Sequence, residues 1–130
     1  MARIDDQVKA LATECARRGQ AVTATLLPSG AHLIEVANYE LVGWDQKHVT
    51  VLFVAPPAFP AAQPDCFWVE PPGLRFGGGQ TPQNTNDQNP IPEVARPATW
   101  FSWHLQSWDP NTHTLSSYLR VIGQRLYPPR

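Results

Sequence analysis

Proline is concentrated in the middle third of this 130-residue chain. Ten of its fourteen prolines lie between Pro56 and Pro97. Because proline lacks the N–H group that helix interiors and central strands require, this stretch as a whole cannot be regular helix or central strand. Disordered segments rarely carry large aromatic residues, yet four lie within or beside it: Phe67, Trp68, Phe76 and Trp100. The sequence therefore predicts a long, ordered loop.

Composition limits both the size of the fold and its partners. Hydrophobic residues make up 42% of the chain, which suits one compact domain spanning residues 1–130. The formal net charge of -1 provides no basic surface for nucleic acid or anionic lipid. The apolar run Val51–Pro57 is far shorter than the roughly 20 residues that span a bilayer, and Met1–Asp6 lacks the layout of a signal peptide. We expect a cytoplasmic protein that binds neither nucleic acid nor a membrane.

Two helices flank a group of strands in the hydrophobic pattern. Apolar residues from Ile4 to Arg18 recur at spacings of three and four, with acidic residues early and basic residues late, which predicts a first helix. A second apolar stripe predicts a final helix from about Thr114 to Leu126. Alternating apolar residues predict four strands between them: Ala21–Leu27, His32–Val36, His48–Val54 and Asp65–Glu70. The predicted fold class is α+β, with an N-terminal helix, a four-stranded antiparallel meander, a long ordered loop and a C-terminal helix.

Two motifs in this order resemble those of the ubiquitin-conjugating enzyme family. Phe59-Pro60-Ala61-Ala62-Gln63-Pro64 is similar to the aromatic-Pro-x-x-x-Pro signature that closes the third strand of that family. Trp108-Asp109-Pro110 is similar to the family's Trp-x-Pro, which precedes a helix. Together with Asp65-Cys66-Phe67-Trp68-Val69 and Trp100-Phe101-Ser102-Trp103-His104, these motifs resemble the bacterial branch of the superfamily most closely. The resemblance implies a ubiquitin-conjugating-enzyme-like fold.

The chain departs from the eukaryotic family pattern at the catalytic cysteine. In that pattern the cysteine lies about eight residues before the tryptophan of Trp-x-Pro, a position that Trp100 occupies here. No cysteine follows Cys66, and the loop contains no His-Pro-Asn turn. These differences exclude thioester chemistry at the usual place.

Ser102 and His104 are the predicted catalytic residues. Ser102 lies in the window where the resemblance places the nucleophile, and an extended backbone would direct both side chains to one face. Because a hydroxyl is a weak nucleophile, it needs a base at hydrogen-bond distance, which His104 could supply. The expected intermediate is an oxyester. The alternative is an ordinary polar pair bonded to the loop backbone, and a helical segment would separate the two side chains.

Other residues are weaker candidates for the site. Thr99 and Ser107 are alternative hydroxyl nucleophiles. Three loop asparagines could donate a hydrogen bond to an oxyanion but are also common turn residues: Asn84, Asn86 and Asn89. We interpret Cys66 as a core or sub-surface thiol far from the site, and Cys15 as a core residue of the first helix.

The sequence predicts neither a metal site nor a cofactor. The histidines outside the candidate site, His32, His48 and His113, are separated by strands and loops and show no ligand spacing. Gly77-Gly78-Gly79 lacks the Lys-Ser/Thr that follows the glycines of a phosphate-binding loop, so a flexible turn explains it better.

The resemblance implies a function and a set of partners. The chain would accept a ubiquitin-like protein from an activating-type enzyme and transfer it to a lysine amine of a target protein, as a transferase whose active site lacks cysteine. The resemblance alone also suggests a link to defence against phage. Because the cysteine is missing, a second hypothesis is a catalytically inactive adaptor that binds the activating enzyme or the ubiquitin-like protein. A third is an unrelated α+β interaction domain.

Overall fold

The computed structural model describes residues 3–130, which form two helices and six strands. The helices are α1 (Ile4–Ala16) and α2 (Leu115–Leu126). The strands are β1 (Ala21–Leu26), β2 (His32–Glu40), β3 (His48–Ala55), β4 (Phe67–Glu70), β5 (Thr85–Asn86) and β6 (Thr99–Phe101). The predicted α+β class is confirmed, and both helices and the first four strands are present with ends that differ by a few residues from the predicted ones.

All neighbouring strands of the sheet are antiparallel, in the order β1-β2-β3-β4-β6-β5. The first four pair in sequence, which confirms the meander. The prediction of only four strands is incomplete, because β6 pairs with β4 and places Phe101 opposite Phe67. Strands of two and three residues are too short to show an alternating pattern, and for this reason the sequence predicted no strand at β5 or β6.

Both helices pack on one face of the sheet. Leu11 and Cys15 of α1 are fully buried, as predicted from the apolar stripe of this helix. The buried residues of α2 are Leu115, Tyr118, Leu119, Ile122, Arg125 and Leu126. The Thr114 side chain caps the first turn of α2, in reciprocal hydrogen bonds with Ser117. This face holds the larger of the two buried apolar clusters and therefore most of the hydrophobic core. Burying each large apolar side chain contributes roughly 1.5–3 kcal/mol.

The proline-rich stretch covers the opposite face of the sheet. Leu52 of β3 and Trp68 of β4 form a second buried cluster with Ile91 and Ala98 of the loop. The Trp68 Nε1–H donates to the carbonyl oxygen of Asn89 at 2.8 Å. This packing confirms that the long loop is ordered.

Polar side chains also hold the loop in place. The Asp87 carboxylate accepts hydrogen bonds from the Thr99 hydroxyl (2.6 Å), the Gly73 N–H (3.0 Å) and the Arg75 guanidinium (2.6 Å). Arg96 forms ion pairs with Glu35 of β2 and Glu70 of β4. The loop is therefore joined at several points to the strands that carry the candidate site.

Candidate functional site

The segment after β6, residues 102–105, carries both predicted catalytic residues, and we call it the site segment. It contains no helical turn, so the alternative in which a helix separates the two side chains does not apply. Phe101 is buried and Trp103 is half-buried, whereas Ser102 and His104 are exposed. This alternation places both predicted side chains on the solvent side of the segment.

Ser102 and His104 bind different neighbours. The Ser102 N–H donates to the Asn84 carbonyl oxygen at 3.0 Å. His104 Nδ1 lies 3.4 Å from Oδ1 of Asp65, which sequence reasoning did not select. Within residues 3–130, no hydrogen bond joins the Ser102 hydroxyl to the His104 ring. The fold therefore brings His104 to an aspartate and leaves Ser102 exposed, without a hydrogen bond to the ring.

Residues 63–66, which we call the facing segment, hold the site segment in register. The Gln63 side chain makes two hydrogen bonds to the Leu105 backbone, one donated and one accepted, both at 3.0 Å. The Cys66 N–H donates to the Trp103 carbonyl oxygen at 2.8 Å. From α2, the Tyr118 hydroxyl lies within hydrogen-bond distance of the carbonyl oxygens of Cys66 (2.9 Å) and Trp103 (3.1 Å). These contacts fix the backbone on both sides of His104.

The prediction that Cys66 lies far from the site segment is wrong. Because β4 pairs with β6, the residue before β4 lies opposite the residues after β6, and Cys66 bonds to Trp103. Its side chain is half-buried, and burial raises the pKa of the thiol, which keeps it protonated at neutral pH. Its backbone has φ of 66°, in the left-handed region, so the strand begins only at Phe67 and not at Asp65 as predicted.

The alternative nucleophiles occupy contrasting positions. Thr99 is fully buried, and its Oγ1 donates to Asp87 and accepts from the Gly73 N–H. Because its hydroxyl is already hydrogen-bonded and has no solvent exposure, a protein substrate cannot reach it. Ser107 is exposed in the bend after the site segment.

Of the three loop asparagines, Asn84 lies beside Ser102. Its carbonyl accepts the Ser102 N–H, and its backbone has φ of 55°, which asparagine tolerates better than most residues. Asn86 instead pairs with Trp100, and its side chain accepts from the Gln88 N–H.

Arg125 supports the loop beside the site segment, although sequence reasoning did not select it. It is 2% exposed, and its Nη2 donates to the Gln83 carbonyl oxygen at 2.6 Å. The guanidinium lies over the Phe101 ring at 5.0 Å and near the Trp103 ring at 5.9 Å. Burial lowers the pKa of Arg125 to about 10, so the group stays charged at neutral pH. The sequence could not predict this burial, because an arginine near the end of an amphipathic helix ordinarily faces solvent.

The two motifs that carried the resemblance touch each other. Trp108 Nε1–H donates to the Pro60 carbonyl oxygen at 2.7 Å, and the Trp108 and Phe59 rings lie 6.0 Å apart. The Trp108 ring also stacks on His113. The helix, meander, aromatic-proline segment and Trp-x-Pro motif together define a ubiquitin-conjugating-like domain.

Comparison with known proteins identifies the family. The model described as Prokaryotic E2 family E, in which E2 denotes the ubiquitin-conjugating class, matches residues 24–127. The chain therefore belongs to this family, which confirms the resemblance and excludes an unrelated α+β interaction domain. No curated protein and no solved structure matches the chain.

Family membership gives the general character of the protein. It is a ubiquitin-conjugating-like protein, and its family implies interaction with a ubiquitin-like protein and an activating enzyme in general terms. In the described part of the chain, neither helix has the length and apolar composition needed to cross a membrane.

Proposed function

We propose that Ser102 accepts a ubiquitin-like protein as an oxyester from an activating enzyme and passes it to a lysine amine of a target protein. The observation that carries the proposal is the placement of Ser102 and His104. Both are exposed on one side of an ordered segment, and this segment precedes the Trp-x-Pro motif, where the resemblance places the nucleophile. Ser102 is the better candidate because the Thr99 hydroxyl is buried and hydrogen-bonded and because Ser107 lies outside the site segment.

The loading step requires a base. The Ser102 oxygen attacks the activated carbonyl of the ubiquitin-like tail, a new C–O bond forms, and the bond from that carbonyl to the activating enzyme breaks. His104 takes the hydroxyl proton during the attack and returns it to the departing group. The free energy for this step comes from the activating enzyme, which consumes ATP.

The transfer step uses His104 again, now to move a proton from the amine to the serine oxygen. The lysine amine attacks the oxyester carbonyl, a C–N bond forms, and the C–O bond to Ser102 breaks. His104 takes a proton from the amine and delivers a proton to the serine oxygen. The exposed amide of Asn84 is a loop group that could donate to the oxyanion, since its backbone is hydrogen-bonded to Ser102.

A catalytically inactive adaptor is the second candidate function. It is favoured by the absence of a cysteine after Cys66 and by the lack of a hydrogen bond between the Ser102 hydroxyl and the His104 ring in the described residues. In this case the exposed segment would contact the activating enzyme or the ubiquitin-like protein without forming a covalent bond.

Intact-protein mass spectrometry distinguishes the two. The chain is incubated with its activating enzyme, its ubiquitin-like protein and ATP, and compared with Ser102→Ala and the matched control Ser107→Ala. We expect an adduct that resists thiol reductant, is cleaved by mild hydroxide, survives in Ser107→Ala and is absent in Ser102→Ala. Binding of either partner without any adduct would support the adaptor and contradict the oxyester.

A further inference from the structure

We propose that Asp65 is a positioning residue that holds the His104 ring with its proton on Nδ1 and leaves Nε2 as the basic nitrogen. The carboxylate Oδ1 lies 3.4 Å from His104 Nδ1, at ion-pair distance and outside the geometry of an aligned hydrogen bond. A carboxylate beside one imidazole nitrogen favours the proton on that nitrogen, and the other nitrogen then carries the lone pair that accepts a proton. The catalytic consequence rests on the proposed function, whereas the protonation state of the ring does not.

The backbone brings the two residues together. His104 lies between Trp103 and Leu105, whose backbones are bonded to Cys66 and Gln63 of the facing segment. Asp65 lies between those same two partners along the chain. The register between the site segment and the facing segment therefore determines how close Asp65 lies to His104.

A left-handed residue follows Asp65 directly. Cys66 has φ of 66°, a conformation that residues other than glycine seldom adopt. Regular β geometry would extend β4 back through Cys66 to Asp65, whereas the left-handed residue makes the strand begin only at Phe67 and changes the chain direction before it. The left-handed conformation of Cys66 therefore affects where the Asp65 side chain lies relative to the site segment.

Asp65 Oδ1 has two neighbours, because the Cys66 thiol donates to it at 3.6 Å and His104 Nδ1 lies 3.4 Å away. His104 is the only basic side chain within 4.0 Å of the Asp65 carboxylate among the described residues. The neighbouring titratable groups are the Cys66 thiol and the Tyr118 hydroxyl, and burial raises the pKa of both. At neutral pH these two groups are uncharged, and Asp65 provides the only charge on the facing segment.

The exposure of the pair argues against a purely structural purpose. The side chains of His104 and Asp65 are 52% and 74% exposed. Ion pairs at such exposure contribute little to folding stability. Removing the Asp65 carboxylate should therefore leave the fold intact, so an effect on the imidazole can be measured without unfolding.

The first experiment reads the ring directly by imidazole nitrogen NMR at about pH 8, where ordinary imidazoles are neutral. His113 is an internal reference, because its Nδ1 accepts the Asp109 N–H at 2.8 Å and its proton must lie on Nε2. We expect the opposite tautomer for His104. In Asp65→Ala and Asp65→Asn we expect His104 to shift toward the Nε2–H form while His113 is unchanged. A wild-type His104 already in the Nε2–H form, or one insensitive to both substitutions, would overturn the inference.

The second experiment measures the consequence for catalysis. The rate of Ser102 adduct formation is followed from pH 6 to 9 with the activating enzyme, the ubiquitin-like protein and ATP. We expect Asp65→Ala to slow the reaction about 10- to 100-fold over this whole pH range, since the base loses its orientation. Asp6→Asn, an exposed change in α1, serves as the control with unchanged rate and profile.

The outcomes separate this inference from the proposed function. A wild-type adduct on Ser102 that forms at an unchanged rate in Asp65→Ala contradicts the positioning of His104 and leaves the oxyester standing. Absence of any Ser102 adduct in the wild type contradicts the oxyester, and the NMR measurement still decides which nitrogen carries the proton.

Discussion

The two faces of the sheet are stabilised by different kinds of interaction. On the helix face, regular apolar stripes pack against β2 and β3, and Phe53 lies 5.2 Å from the Tyr118 ring. On the loop face, a smaller apolar cluster is supplemented by hydrogen bonds from individual side chains to distant backbone groups, such as Trp68 to Asn89. The helix face contributes most of the buried apolar surface, whereas the loop face adds hydrogen bonds that fix the positions of particular residues.

The candidate site lies where these two kinds of interaction meet. Phe101 and Tyr118 belong to the helix-face core, and Tyr118 bonds to the backbone of both the site segment and the facing segment. Gln63 adds side-chain bonds of the kind found on the loop face. We conclude that two kinds of interaction position the exposed residues of the site: packing and hydrogen bonds from the core, and side-chain hydrogen bonds from Gln63.

The largest expected effect comes from a cavity on the helix face. Phe53 is fully buried, so Phe53→Ala should lower the free energy of unfolding by about 3–5 kcal/mol, since apolar burial is lost and a cavity remains. Urea denaturation measures the change. His48→Ala, an exposed change on the same strand, should alter the free energy by no more than about 0.5 kcal/mol. A loss below about 1 kcal/mol for Phe53→Ala would contradict the division between the faces.

A smaller and pH-dependent effect is expected on the loop face. Burial raises the pKa of Asp87, but hydrogen bonds from Arg75, Thr99 and the Gly73 N–H outweigh it and hold the pKa below its ordinary value of 3.8. A carboxyl with a lowered pKa in the folded state stabilises the fold above that ordinary value, and this contribution is lost as the pH falls below it. Asp87→Asn should therefore reduce the free energy of unfolding by about 1–3 kcal/mol at pH 7.

The acid range provides the check on Asp87. Urea denaturation from pH 7 to pH 3 should show the difference between wild type and Asp87→Asn shrinking as the pH falls below about 4. Asp6→Asn removes the same charge from an exposed site and should change stability by only a few tenths of a kcal/mol. A difference for Asp87→Asn that is constant with pH would show that the carboxylate is not the stabilising species.

The smallest effect on stability is expected from the polar contact at the site. Gln63→Ala removes two hydrogen bonds to Leu105 and should cost about 1 kcal/mol. Hydrogen exchange should nevertheless quicken at the Leu105 amide, because its acceptor is lost, while the buried strand β3 keeps its protection. Equal protection of Leu105 in both proteins would show that Gln63 does not hold the segment.

The helix face could be predicted from the sequence because its signals are local. The spacing that predicted burial of Leu11 and Cys15 depends on residues a few positions apart, and so does the beginning of α2 directly after Thr114. The aromatic-proline and Trp-x-Pro motifs then allowed the family to be identified. These patterns were sufficient for the class of the fold and for its first four strands.

The surroundings of the site could not be predicted, since they depend on pairing between distant short segments. Placing Asp65 beside His104 requires the register of β4 against β6, and β6 has only three residues. The same pairing brought Cys66 next to the site segment, against expectation. Arg125 was missed because an arginine near the end of a helix ordinarily faces solvent, whereas this one is buried against two aromatic rings.

The identity of the atom that carries the ubiquitin-like protein is the most direct test of the account. In Ser102→Cys, the same position should form a thioester, so the adduct made with the activating enzyme, the ubiquitin-like protein and ATP should become sensitive to thiol reductant, whereas the wild-type adduct resists it. The Cys66→Ala variant should retain the wild-type behaviour. An adduct whose sensitivity is unchanged by Ser102→Cys, or one that disappears in Cys66→Ala, would contradict the assignment of Ser102.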